Sequence, residues 1–126
     1  MISDKYHVLI IDDNEDILFM LKTMLKMKGY EVSVLGRIDN ILEDLRQTSP
    51  DLILMDMLLA GADGREVCKL VKANPDFMAT PIIMISAHPS ARKKCLESGA
   101  DFFIEKPFEM EDLLNAIKTH STRAKS

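Results

Sequence analysis

Five short apolar runs that alternate with helix-like stretches constrain the fold of this chain most strongly. The runs cover residues 7–11, 31–35, 51–55, 81–85 and 101–104. The first, third and fourth are almost entirely apolar, which is typical of strands covered on both faces of a parallel sheet. Between the runs, apolar residues recur at helical spacing. The pattern predicts an α/β domain: a flavodoxin-like, doubly wound parallel sheet of five strands in the order 2-1-3-4-5, with five helices.

Length and composition bound the organisation of the chain. Its 126 residues suit one domain, which we expect over residues 1–120, followed by a short polar tail at 121–126 that we expect to be disordered. With 16 basic and 20 acidic residues, the net charge of −4 argues against general nucleic-acid binding. No apolar run approaches the ~18 residues of a membrane span. The start of the chain lacks a secretory signal, and two cysteines form no disulfide framework. We therefore expect a cytoplasmic protein without membrane contact.

Polar side chains end most of the predicted strands. Asp12 and Asp13 follow the first run, Asp56 follows the third, Ser86 follows the fourth, and Lys106 lies just after the fifth. The carboxyl ends of parallel strands share one edge of the sheet, where ligands bind at the point at which the strand order reverses. The sequence therefore predicts that three carboxylates, a hydroxyl and an ammonium converge there.

Converging carboxylates repel one another, and a single lysine cannot neutralise three of them. Oxygen ligands without a nearby histidine or cysteine favour Mg²⁺ or Mn²⁺ over Zn²⁺. Such a site would also prepare a carboxylate to attack phosphorus. Taken singly, Asp12 and Asp13 could only cap a helix, Asp56 could be a loop residue and Lys106 a solvated lysine. Their joint position at one edge favours a functional site.

Longer motifs resemble the receiver domain of two-component response regulators, in particular the single-domain, chemotaxis-regulator-like form. The resemblance covers about residues 5–120. It rests on VLIIDDN at 8–14, PDLILMDM at 50–57, Gly64, PIIMISA at 81–87 and GADFFIEKPF at 99–108.

This resemblance implies that Asp56 accepts a phosphoryl group from a histidine kinase. It assigns Mg²⁺ binding to Asp12, Asp13 and Asp56, together with the backbone carbonyl of Leu58. A downstream protein target is also implied, reached through a partner-binding surface that phosphorylation switches.

The resemblance also assigns Lys106 to contact with the phosphoryl oxygens and implies a cis peptide between Lys106 and Pro107. It makes Ser86 the switch hydroxyl and Phe103 the switch aromatic ring. We expect Phe103 to turn inward when the Ser86 hydroxyl moves toward the phosphoryl group. The segment 90–98 has the weakest helical pattern, so the fourth helix is expected to be short.

The predicted function is therefore phosphorelay signalling by a domain that catalyses only its own phosphorylation and dephosphorylation. A phosphatase with an aspartate nucleophile is a weaker alternative, because its D-x-D pattern after the first strand is missing. A pure interaction module with an unused site is the third alternative, against which the complete set of polar residues argues. The expected partners are a histidine kinase or phosphotransfer protein and a downstream protein. We expect a monomer or weak homodimer.

Overall fold

The computed structural model of the protein describes residues 5–59 and 62–125, with side chains described as far as His120. Within that part of the chain, no helix has both the length and the apolar character that a membrane span needs.

Strands and helices alternate as the sequence predicts. The strands are β1 (His7–Ile11), β2 (Glu31–Leu35), β3 (Leu52–Asp56), β4 (Leu58–Leu59), β5 (Ala62–Asp63), β6 (Ile82–Ser86) and β7 (Phe102–Glu105). The helices are α1 (Glu15–Met27), α2 (Ile41–Thr48), α3 (Gly64–Lys72), α4 (Arg92–Glu97) and α5 (Met110–Lys125), and a 3₁₀ turn, Pro89–Ala91, precedes α4.

The main sheet has five parallel strands in the order β2-β1-β3-β6-β7. Since β6 and β7 are the fourth and fifth of the predicted strands, the 2-1-3-4-5 order and the α/β fold class are confirmed. Strands β1 and β3 lie next to each other, with Ile11 paired to Met55. The residues that follow this pair, Asp12 and Asp56, therefore reach the same edge of the sheet. The antiparallel hairpin of β4 and β5 was not predicted.

Alternate residues of the central strands face two separate cores. Leu9 and Ile11 lie in the core under α2, α3 and α4, whereas Val8 and Ile10 lie in the core under α1 and α5. All four side chains are buried, which explains why β1 reads as a continuous apolar run. Burial of apolar surface stabilises the packing of both helical layers on the sheet, by about 25 cal/mol for each Å². The edge of the sheet that carries the polar residues therefore lies between two packed cores.

Asn14 begins α1 as its cap. Its side-chain oxygen accepts hydrogen bonds from the backbone N–H groups of Asp16 at 2.9 Å and Ile17 at 3.1 Å. A cap of this kind stabilises a helix by about 1 kcal/mol. Because Asn14 performs this role, the carboxylates of Asp12 and Asp13 are not needed to cap α1.

The ends of the last two helices bear on the sequence predictions. Helix α4 has only six residues after its 3₁₀ turn, which agrees with the expected short fourth helix. The backbone of α5 is helical to Lys125 and so includes most of the segment 121–126 that we expected to be a tail. Side chains beyond His120 and all of Ser126 lie outside the described residues, and the division at residue 120 stays a prediction.

Candidate functional site

Three carboxylates meet at the carboxyl edge of β1 and β3. Asp12, Asp13 and Asp56 each present an oxygen that lies within 4.8 Å of the others. Asp12 is only 3% exposed, Asp56 is half-buried, and Asp13 is exposed to solvent. The structure therefore brings together the acidic residues that the sequence placed on two different strands.

Lys106 provides a positive charge to this cluster. Its Nζ lies 3.1 Å from Oδ2 of Asp56 and 3.7 Å from Oδ2 of Asp12. The lysine is held in place by its backbone, because its N–H donates to the carbonyl of Ser86 at 2.8 Å, and it is followed by the implied cis peptide to Pro107. One ammonium group faces three carboxylates, so the cluster keeps an excess of negative charge.

The pKa of Asp12 is raised above its ordinary value. Burial of the carboxyl is the largest cause, and the negative charges of Asp56 and Asp13 add to it. The N–H of Asn14, which donates to Oδ1 of Asp12 at 2.9 Å, and the ammonium of Lys106 act in the opposite direction. The ionised form of Asp12 thus costs folding free energy at neutral pH.

We expect Asp12→Asn to be more stable than the wild type at pH 7 in the presence of a chelator. A carboxyl with a raised folded pKa contributes most to stability below its unfolded pKa, and this contribution is lost as the pH rises through the folded pKa. The advantage of the variant should therefore shrink on acidification toward pH ~4. Urea unfolding at both pH values measures this difference. Asp16→Asn, an exposed change on α1, serves as the control, and a wild type that is the more stable protein at pH 7 would contradict the expectation.

Each oxygen of the Asp56 carboxylate has a hydrogen-bond donor. Oδ2 faces Lys106, and Oδ1 accepts the backbone N–H of Leu58 at 3.3 Å. Leu58 begins the unpredicted hairpin, so β4 and β5 hold this donor beside the carboxylate. The role of the Leu58 carbonyl as a metal ligand stays a prediction.

Ser86 and Phe103 lie where β6 and β7 run under α4. Ser86 is 2% exposed, and its Oγ accepts the backbone N–H of His88 at 3.1 Å. The Phe103 ring is 4% exposed and lies in the core that also contains Ala91 and Cys95. Since the Phe103 ring is already buried, the inward turn that we predicted would bury little additional surface of the ring. Any switching motion of Phe103 has to start from a ring that is packed in the core.

Gly64 packs its backbone closely against the chain at Asp56 and Met57. The sequence did not indicate this role. Its N–H donates to the carbonyl of Met57 at 2.7 Å. A Cβ at this position would lie 2.8 Å from the carbonyl oxygen of Asp56 and 2.9 Å from that of Met57. Backbone atoms cannot yield as a flexible side chain can, so only glycine fits at the start of α3.

Gly64→Ala is expected to lower the free energy of unfolding by roughly 1–3 kcal/mol, the usual cost of forcing extra atoms into a packed site. Gly36→Ala is a matched control, because a Cβ there would meet only Leu18 Cδ1 at 3.9 Å, an ordinary contact. Chemical denaturation of both variants measures the difference. Equal stabilities would show that the Asp56 turn relaxes freely.

The carboxylate cluster fits a hard divalent cation. All candidate ligands are oxygens, and one oxygen of each carboxylate lies within 4.8 Å of the other two. Asp12, Asp13 and Asp56 could therefore hold Mg²⁺ or Mn²⁺, and the added charge would relieve their repulsion.

This chain belongs to the response regulator receiver domain family, which it matches over residues 8–118. It is 35% identical over 120 residues to the protein PilG of Pseudomonas aeruginosa, covering 94% of this chain and 89% of PilG. It is 32% identical to the phosphate regulon transcriptional regulatory protein PhoB of Rhizobium meliloti over 120 residues, which are 94% of this chain but 53% of PhoB. The chain thus spans about half the length of that relative.

The fold comparison agrees with the family. A crystal structure from Chloroflexus aurantiacus, described as that of a response regulator, superposes with a TM-score of 0.89 at 31% identity, covering 94% of this chain and 99% of the other. The protein is therefore a signalling domain of two-component systems rather than a classical enzyme.

Proposed function

We propose that this receiver domain works as a phosphorylation-controlled switch in a phosphorelay. Asp56 accepts a phosphoryl group from the phosphohistidine of a histidine kinase or phosphotransfer protein, and the domain then acts on a downstream protein. The observation that carries this proposal is the position of Asp56, which lies beside the acidic pair that follows β1 and 3.1 Å from the ammonium of Lys106. We further propose that it acts in the cytoplasm, as a monomer or weak homodimer.

The proposed transfer of the phosphoryl group to Asp56 forms one bond and breaks one. A carboxylate oxygen of Asp56 attacks phosphorus and forms the new O–P bond. The N–P bond of the phosphohistidine breaks, and its electron pair returns to the imidazole nitrogen, which takes a proton from solvent. The nucleophile is oriented by two donors, Lys106 Nζ and the N–H of Leu58. Phosphoryl transfer depends mainly on such positioning and on charge neutralisation.

Negative charge has to be neutralised for a phosphoryl group to approach three carboxylates. A Mg²⁺ ion held by Asp12, Asp13 and Asp56, with the carbonyl of Leu58, would supply that neutralisation. Lys106 already lies against Asp56 and can shift to the phosphoryl oxygens without leaving the site. Incubation with acetyl phosphate tests the proposal: we expect one phosphoryl group per chain with Mg²⁺ and none in a chelator.

The Ser86 hydroxyl is proposed to carry the signal away from the site. It can exchange the N–H of His88 for a phosphoryl oxygen, to which it would donate a hydrogen bond worth about 1.5–3 kcal/mol. Because His88 immediately precedes the 3₁₀ turn before α4, releasing its N–H would disturb the start of that segment. The α4 surface would then change while the sheet stays in place.

Ser86→Ala is expected to accept phosphate but to lose most of the response at α4. Amide chemical shifts with and without beryllofluoride, a phosphoryl mimic, report this response residue by residue. Ser90→Ala, an exposed change on the same segment, serves as the control. If Ser86→Ala shows the wild-type shifts at Ala91 and Phe103, the signal does not pass through Ser86.

A further inference from the structure

A cavity of about 480 Å³ lies between α1 and the segment that follows β7, and we name it the α1 cleft. Apolar side chains form most of its lining, among them Ile17, Met20, Leu21, Met24, Phe108 and Met110. Asp12 and Lys106 are the charged residues of the lining. This volume, the apolar walls and the few polar groups are the usual features of a site for a small organic ligand.

The walls of the α1 cleft expose apolar surface that the packing of α1 does not use. Leu18, Leu21 and Leu25 recur at helical spacing and bury α1 against the sheet. Met20 lies off that stripe and is 45% exposed, and Met24 is half-buried. Methionine side chains are flexible and adapt to ligands of different shapes. The two methionines therefore offer the cleft an adaptable apolar wall.

The charged part of the cleft favours a cationic ligand. Asp12 is only 3% exposed, and its Oδ2 lies 3.7 Å from Nζ of Lys106, which is too far for a hydrogen bond. The ammonium of Lys106 lies nearer to Asp56, at 3.1 Å, and Asp13 adds a third carboxylate to the cluster. Oδ2 of Asp12 can therefore accept a hydrogen bond from a ligand, and the excess negative charge selects a positively charged donor.

We propose that the α1 cleft binds a small amphiphilic amine, with its ammonium group at Asp12 and its apolar body against the methionines of α1. A carboxylic acid fits less well, because it would approach three carboxylates and a lysine that is already paired. The amine and Mg²⁺ exclude one another, since both need the carboxylate of Asp12, and the amine thereby slows the phosphorylation of Asp56. This consequence rests on the proposed function, whereas binding of the amine does not.

The test uses the full chain labelled with ¹⁵N, in a chelator at pH 7, and three probes that share a phenylbutyl body. The probes are 4-phenylbutylamine, the neutral 4-phenylbutanol and the anionic 5-phenylpentanoate, and amide shifts give the Kd of each. We expect the amine to shift the amides of 17–24 and 106–110 with a Kd of roughly 1 mM, as a ligand of about a dozen heavy atoms allows. The alcohol should bind about tenfold more weakly, because its hydrogen bond to Asp12 lacks the charge.

Three results with the wild type would overturn the proposal. They are equal binding of the amine and the alcohol, tighter binding of the acid, and shifts confined to other parts of the chain. Self-association that the amine reverses, measured by sedimentation, would also overturn it, because a second copy of the chain would then be the occupant of the cleft.

Substitutions test the two contacts separately. Asp12→Asn should weaken binding of the amine about tenfold and of the alcohol less than about twofold, because it removes the charge and keeps the shape. Met20→Gln should weaken both probes by about two- to threefold, since it removes apolar contact. Phe19→Gln, at a position of α1 that is 73% exposed and does not line the cleft, is the control and should change neither Kd. A tenfold preference for the amine that persists in Asp12→Asn would contradict the assignment of the ammonium group to Asp12.

Competition with Mg²⁺ is measured by the same amide shifts at constant ionic strength. Mg²⁺ should raise the apparent Kd of the amine and leave that of the alcohol unchanged. If Mg²⁺ shifts the amides of the ligand-free protein but does not change the Kd of the amine, the exclusion of one by the other is wrong. If Mg²⁺ has no effect on the ligand-free protein, the metal site of the proposed function is rejected, and the titrations in chelator alone decide whether the cleft binds the amine.

Discussion

Asp56→Asn is expected to abolish the uptake of a phosphoryl group from acetyl phosphate. The amide nitrogen and oxygen of asparagine are poor nucleophiles, whereas the carboxylate of Asp56 is held between Lys106 and the N–H of Leu58. Incorporation should fall from about one phosphoryl group per chain to below detection, because loss of a nucleophile removes the reaction path itself. Intact-protein mass spectrometry in the presence of Mg²⁺ measures the change.

The substitution should leave the fold in place. An asparagine keeps a side-chain oxygen for the N–H of Leu58 and removes one of three repelling charges. Asp76→Asn, which changes an exposed carboxylate outside the site, is the matched control and should label as the wild type does. A label that persists in Asp56→Asn would move the acceptor to another residue, such as Asp13.

The fold could be predicted from the sequence because its strongest signals are local. Continuous apolar runs and helical spacing both depend on burial, and a parallel sheet buries both faces of its central strands. The convergence of Asp12, Asp56 and Lys106 followed from the same pattern, since parallel strands end at one edge. These predictions needed only the order of the elements and no side-chain contact.

Features that depend on close approach could not be predicted in this way. The β4–β5 hairpin has only two residues in each strand, too few for a periodic signal. The backbone at Gly64 lies so close to Asp56 that an added Cβ would be 2.8 Å from the Asp56 carbonyl oxygen, and no spacing rule reveals such an approach. The buried position of the Phe103 ring is likewise a matter of rotamer and packing.

The methionines show the limit of reading hydrophobicity as burial. Methionine is an apolar residue, yet Met20 is 45% exposed and Met27 is 80% exposed. Met20 and Met24 line a cavity of about 480 Å³ between α1 and the segment that follows β7. An amphipathic pattern identifies which face of a helix is buried, but it does not show how exposed a residue at the border of that face is.

Mg²⁺ is expected to raise the melting temperature of the wild type by roughly 10 °C. Binding at a hundredfold excess over Kd adds ~2.7 kcal/mol to the free energy of unfolding, and 1 kcal/mol corresponds to about 4 °C for a chain of this size. Asp13→Ala removes a solvent-facing member of the carboxylate cluster without disturbing the buried Asp12. Most of the rise should be lost in this variant.

Without Mg²⁺, the Asp13→Ala substitution should raise the melting temperature rather than lower it. Asp13 adds to the repulsion on Asp12, so Asp13→Ala should melt at a slightly higher temperature than the wild type in a chelator. Asp39→Ala, which removes an exposed carboxylate paired with Arg37, should keep the full response to Mg²⁺. The samples with and without Mg²⁺ are brought to the same ionic strength with KCl, so that screening of surface charges is not mistaken for Mg²⁺ binding. The two variants differ in whether the lost carboxylate belongs to the cluster of Asp12, Asp13 and Asp56. An equal rise in melting temperature in Asp13→Ala and Asp39→Ala would therefore mean that the cation binds elsewhere.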